Sequence, residues 1–137
     1  MKTSRTTLAV TIGIVAIGAF LIWRAITPQT GAADHIVDVT VPKLSAQASY
    51  GQKLFADDCA ACHGENAGGT EQGPPLIHRI YEPSHHGDRA FLIAAMQGTR
   101  AHHWQFGNMP PVEGITERQV QDIVAYVREV QKANDVF

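Results

Sequence analysis

The five residues Cys59, Ala60, Ala61, Cys62 and His63 constrain this chain more than any other feature, because they contain both of its cysteines. Two thiols and an imidazole directly after them place three reactive groups within little more than one helical turn. Four chemistries use such a pair. A disulfide across so short a loop staples very little. A thioredoxin-like redox pair needs a strand, helix, strand setting and has no use for the histidine. A zinc site needs further ligands, for which His102 and His103 are candidates, although no second Cys-x-x-Cys and no regularly spaced histidine pair accompanies the first. Covalent haem attachment uses all three groups in this order. The thiols add to the two vinyl groups and the histidine follows under the iron.

An electron-carrying haem iron with both axial positions filled needs a second ligand besides His63. Met109 lies 46 residues downstream in the segment Gly-Asn-Met-Pro-Pro. Asn108, Pro110 and Pro111 stiffen that loop enough to hold a thioether against iron. Met1 begins the chain, and Met96 falls on the apolar side of an expected helix, where it reads as core. His63 and Met109 are therefore the expected axial ligands of one covalently bound haem c, with Cys59 and Cys62 as its attachment points.

The N-terminal region has a different character. Residues 6–23 carry no charge, Lys2 and Arg5 precede them, and Arg24 follows. At about 1.5 Å of rise per residue, Thr6 to Ile26 covers roughly 30 Å, the depth of a bilayer core, with Arg24 snorkelling and Trp23 at the interface. Residues 1–26 are expected to form a transmembrane anchor or uncleaved signal, residues 27–43 an extended linker, and residues 44–137 the folded domain. Small residues at 30–33 suit the alternative of signal cleavage. By the positive-inside rule the domain lies across the membrane. The expected location is thus the cell inner membrane, single-pass, with the domain on the periplasmic side, or the soluble periplasm after cleavage. All 13 acidic residues but only 8 of the 11 Lys and Arg lie beyond residue 33, so this part carries a net charge of −5 with histidine neutral. That argues against nucleic-acid binding and suits a partner with a basic patch.

Apolar periodicity predicts helices over residues 45–57, with Tyr50, Leu54 and Phe55 on one side, over 88–97, and over 116–134. Asp88 is the expected N-cap of the second, with Phe91, Leu92, Ala95 and Met96 as its apolar side and Gly98 ending it. In the third, Thr116 and Gln119 form a capping box, and Val120, Ile123, Val124, Val127 and Val130 make the buried stripe. The segment 64–76 holds four glycines and two prolines and must wrap around something. A turn of helix is expected near Leu76 to Tyr81. No segment is read as alternating like a strand, so the fold class is all-α.

With these residues assembled, the chain from Ser45 to Ala133 resembles a class I c-type cytochrome over about 65% of its length. Gly51 and Phe55 match the glycine and aromatic of that family's first helix, and Tyr126 the aromatic of its last. The resemblance implies the class I cytochrome c fold, with the helices wrapped around the haem and the first and last crossing closely at the glycine. It also implies that the carbonyl of Pro74, in Gly-Pro-Pro-Leu, accepts a hydrogen bond from His63 and so orients it. Trp104 and Phe106 are expected to shield the haem edge. Such a domain, poor in apolar area of its own, is expected to fold poorly without haem.

The expected function is that of a membrane-tethered, monohaem periplasmic electron carrier, cycling Fe(II) and Fe(III) between His and Met ligands, and not an enzyme. Partners would be redox proteins: a terminal oxidase, a quinol-oxidising complex, a copper protein or a dehydrogenase. Two histidine pairs, His85 with His86 and His102 with His103, exceed what the family needs. They read either as solvent-facing or capping residues, or as a metal site, or, for His102 and His103, as replacement distal ligands. Two other functions therefore stay open: a haem peroxidase or gas sensor with a displaceable Met109, and a redox accessory in copper handling.

Overall fold

In the computed structural model the described residues are 14–23 and 35–137. They belong to two compact units, Met1–Ala33 and Asp34–Phe137. In the first, residues 14–23 are helical, and Val15, Phe20 and Trp23 are exposed. The remainder of the expected anchor, residues 1–13 and 24–26, and residues 27–34 of the expected linker lie outside the described residues. Among the described residues no helix is long and apolar enough to cross a membrane.

The second unit contains α1 (Ala46–Asp58), α2 (Ala60–His63), α3 (Asp88–Gln97) and α4 (Glu117–Ala133), with 3-10 turns at Glu65–Ala67 and Arg79–Tyr81. Among the described residues there are no strands, only two isolated bridges, Thr70 with Gly73 and Thr99 with Met109. The all-helical fold is that expected of a class I cytochrome c.

Two helices build the core. Ser45 caps α1, its hydroxyl accepting from the Ala48 N–H at 3.2 Å. The same hydroxyl donates to the Glu129 carboxylate of α4 at 2.6 Å, so the cap also ties the two helices together. The buried stripe of α1 is Ala48, Gly51 and Phe55, at i, i+3 and i+7 as one helical face requires. Tyr50, expected on that face, is 53% exposed. It lies one residue from Gly51, about 100° around the helix. On α4 the Thr116 and Gln119 capping box is formed, and Val120, Ile123, Val124, Val127 and Val130 are all buried. The α1 and α4 axes approach at Gly51, where a methyl would overlap the Asp122 backbone carbonyl. The Phe55 and Tyr126 rings then meet at 5.5 Å and 56°, within the tilted geometry aromatic pairs prefer.

α3 departs from expectation at two residues. Gly87 is the N-cap, and Asp88 is instead the first helical residue, where its charge complements the helix dipole while its carboxylate takes the Arg128 Nε at 2.8 Å. Met96 is 44% exposed rather than core. The face turned inward runs through Ala90, Phe91, Ala94 and Ala95, and the next residue is rotated away from it.

Residues 35–44 form no helix or strand. Val37, Val39 and Val41 pack on the core while Ile36, Asp38 and Thr40 are exposed. This is strand-type alternation, contrary to the sequence reading, though without a ladder. The segment is held by the Val37 N–H to the Gly68 carbonyl at 2.8 Å and by the Asn134 amide, which brackets the Thr40 backbone. The part of the expected linker from residue 35 onward therefore lies along the domain. The glycine-rich segment wraps beneath it, with Ala67, Gly69, Pro75 and Leu76 buried.

Candidate functional site

The cysteine motif sits where α1 breaks. Cys59 has φ −124° and ψ −32°, and its carbonyl accepts the N–H groups of Cys62 at 3.2 Å and His63 at 3.0 Å. That single turn is pinned at its end by the Gly69 N–H on the His63 carbonyl, 2.6 Å, and the Thr70 hydroxyl on the Cys62 carbonyl, 2.5 Å. No disulfide joins Cys59 and Cys62. Burial first, then Asp58 and Cys62, push the Cys59 thiol up to about 12, which keeps it protonated. Cys62 is exposed.

His63 is fixed by Pro74. Its Nδ1 lies 2.9 Å from the Pro74 carbonyl oxygen. Because a carbonyl only accepts, Nδ1 carries the proton, and Nε2 is left with a free lone pair. Burial lowers the pKa of this imidazole, and the Pro74 bond opposes that in part. The result is a neutral ring of fixed tautomer, the state in which histidine binds a metal.

Met109 comes from the other end of the site. Thr99 and Met109 exchange two backbone hydrogen bonds, each 2.9 Å, closing the loop between them at its base. The Ala101 N–H to the Asn108 side chain at 3.1 Å closes it a second time. The Val112 N–H then joins the Ala95 carbonyl at 2.8 Å and docks the two prolines' segment on α3.

Cys59, His63, Pro74 and Met109 line one cavity of about 360 Å³, whereas Cys62 stands beside it on α2 and outside the lining. The volume lies within the about 300–1,000 Å³ of typical cofactor sites. Phe55, Leu76, Phe91, Ile123 and Val124 make its apolar walls, with Trp104 and Phe106 on the loop side. The Trp104 Nε1 is buried without a hydrogen bond. It lies near enough to the Tyr81 phenol to lower its pKa slightly, against the burial that pushes that group up to about 12, but not in hydrogen-bond geometry. An apolar chamber, a neutral imidazole with a free lone pair, a thioether and a thiol in one lining fit a covalently held haem. They do not fit a zinc tetrahedron, which takes thiolate, imidazole or carboxylate ligands and has no use for a thioether or a large apolar chamber.

Sequence reasoning missed Arg128. Its Nη1 donates to the Tyr81 carbonyl at 2.8 Å and the Gln131 side chain at 2.6 Å, its Nη2 to the His86 carbonyl, and its Nε to Asp88. The guanidinium also lies 4.9 Å from the Phe91 ring centre. Buried Gln131 adds bonds to the carbonyls of Leu76 at 2.8 Å and Tyr81 at 2.9 Å. Together they fasten the segment that carries His85 and His86. The signal was present: Arg128 and Gln131 follow Val124 and Val127 by four residues, polar groups on an otherwise apolar helical face.

Comparison with known proteins gives a consistent result. The family model described as Cytochrome c matches residues 48–131. The cbb3-type cytochrome c oxidase subunit CcoP of Rhodobacter capsulatus is 32% identical over 94 residues, which is 65% of this chain and 31% of that protein. Subunit FixP of Bradyrhizobium sp. (strain ORS 278) is 34% identical over 86 residues, 61% of this chain and 27% of its own length. Cytochrome c6 of Thermosynechococcus vestitus is 29% identical over 94 residues, 67% of this chain and 78% of that protein. The chain thus spans less than a third of the oxidase subunits it matches.

Proposed function

The chain belongs to the cytochrome c family, and from that premise we propose that it is a monohaem electron carrier tethered to the inner membrane by residues 1–26, with its haem domain in the periplasm. Covalently bound haem c, when present, supplies an Fe(II)/Fe(III) couple. Cys59 and Cys62 would hold it by thioether bonds. His63, its ring orientation set by Pro74, would offer Nε2 to the metal, and Met109 would offer its sulfur from the closed loop. Imidazole with thioether favours the reduced state relative to two imidazoles. The walls of Phe91, Trp104 and Phe106 exclude water, which disfavours the more highly charged ferric form further.

The observation that carries this reading is the convergence of His63, already hydrogen-bonded through Nδ1, and Met109 on one apolar cavity. Such a site is built to keep its ligands in both oxidation states. That suits a carrier and not an enzyme, which would need an open coordination position. Partners are redox proteins, met through transient docking of an acidic domain on a basic patch. The relatives that are oxidase subunits support a terminal oxidase among them, and a tether confining the carrier near such a partner raises its effective concentration.

Spectroscopy of the purified holoprotein tests the ligands. The ferric form is expected to show a thioether-to-iron charge-transfer band that vanishes in Met109→Leu, and the ferrous form to resist carbon monoxide. Rapid ligand binding by the unaltered protein would overturn the carrier reading. For the tether, the full chain should sediment with membranes and require detergent for release; recovery in a salt wash would remove that part.

A further inference from the structure

The two histidine pairs that the haem does not use come together. His85 Nε2 lies 3.2 Å from His103 Nε2, and His86 Nε2 lies 3.4 Å from His102 Nε2. Ring nitrogens of His85, His86 and His103 all fall within 4.8 Å of one another. The His102 and His103 rings lie 4.4 Å apart at 50° and the His85 and His86 rings 4.7 Å apart at 59°, so the four tilted imidazoles form one group.

Their protons decide what this group is. His86 Nδ1 lies 2.7 Å from the Ile80 carbonyl oxygen and His102 Nδ1 lies 2.7 Å from the Arg100 carbonyl oxygen. Each Nδ1 therefore carries a hydrogen, so Nε2 is the nitrogen each ring has left to offer a ligand. Those two nitrogens face each other at 3.4 Å, a contact that either one shared proton or a metal cation between them satisfies. Backbone carbonyls that orient the far nitrogen are also the usual outer partners of metal-bound histidines.

A tetrahedral ion with metal to nitrogen bonds of about 2.0–2.1 Å sets its ligands about 3.3–3.4 Å apart; the His85 with His103 and His86 with His102 pairs match this at 3.2 and 3.4 Å, and the ligand nitrogens of His85, His86 and His103 gather within 4.8 Å. Four imidazoles with no thiolate suit zinc or copper rather than magnesium or calcium. Both limbs of the site are held independently: Arg128 fastens the His86 carbonyl, and the Thr99 with Met109 bridge closes the loop bearing His102 and His103.

We propose that His85, His86 and His103 bind one divalent zinc or copper ion beside the haem cavity, with His102 as a fourth imidazole at its edge. His86, His102 and His103 also line that cavity. A bound dication there favours the less positively charged ferrous state, so its binding raises the reduction potential. This second part rests on the haem reading; the binding itself does not.

Titration of the full-length holoprotein with zinc sulfate and, separately, copper sulfate tests both parts, with metal counted per haem after gel filtration. One equivalent of at least one metal is expected to remain with the unaltered protein. His85→Asn combined with His103→Asn is expected to weaken binding by more than about 100-fold, since even outer partners of a ligand account for about 10–100-fold. His102→Asn alone, which leaves three imidazoles, should weaken it less. X-ray absorption should show nitrogen neighbours only. Retention of no metal, or equal retention by the double variant, overturns the site. Binding with an unchanged potential overturns the coupling. Haem content by pyridine haemochrome is read in each sample, so loss of haem is distinguished from loss of the ion.

Discussion

Met109 is held chiefly through its backbone. Its N–H and carbonyl are both engaged by Thr99, and the turn that lets them meet is Gly98, at φ 74° and ψ 174°. That region is essentially restricted to glycine. A methyl on Gly98 would also sit 2.6 Å from the Met109 carbonyl oxygen. Gly98→Ala is therefore expected to cost about 1–3 kcal/mol and to weaken the thioether charge-transfer band while leaving haem attachment intact. Thermal unfolding and ferric spectra of the variant check this; an unchanged band would mean that the side chain, not the bridge, positions the sulfur. The sequence did point to the stiffening prolines, and Gly98 was legible as a helix terminator. Its pairing role was not, because a positive φ is visible in sequence but the strand-like partner at Met109 is not.

At the scale of helices, the central event is the crossing of α1 and α4. Each helix was readable from its own residues. The capping box at Thr116 and Gln119 and the valine stripe of α4 depend on neighbours within one or two turns. Gly51 matters only through the other helix, whose Asp122 carbonyl occupies the space a methyl would take. Gly51→Ala must separate the two axes, disturbing the Phe55 with Tyr126 contact, and is expected to destabilise by about 3 kcal/mol, the upper end for overpacking. Tyr50→Ala, one residue away on the exposed face, is expected to stay within about 0.5 kcal/mol. Urea unfolding of the two holoproteins makes the comparison, and equal midpoints would refute the close crossing. α3 was less legible for a physical reason: it lines a cofactor cavity rather than a protein core. It turns Ala90, Ala94 and Ala95 to the cavity together with Phe91 and Ile93, so hydrophobicity alone did not separate that side from the exposed Met96.

For the molecule as a whole, the cofactor cavity divides the core: Phe55, Leu76, Phe91, Ile123 and Val124 all present apolar surface to it, surface that stays wet unless a cofactor covers it. A Cys59→Ser, Cys62→Ser chain freed of haem is expected to lose its cooperative thermal transition and much of its helicity in far-UV circular dichroism. A sharp two-state melt of that chain would contradict the expectation. The amino-acid sequence by itself determined the order of the attachment groups, the helical elements and their caps, because these are settled by residues within a few positions of one another. The tertiary structure alone decided that His85 meets His103 across 18 positions, that Arg128 reaches back 42 to His86, and that the Thr40 backbone is bracketed by Asn134, 94 away. Such contacts follow from how loops of no regular period are drawn over a shared cavity, and no local pattern encodes that.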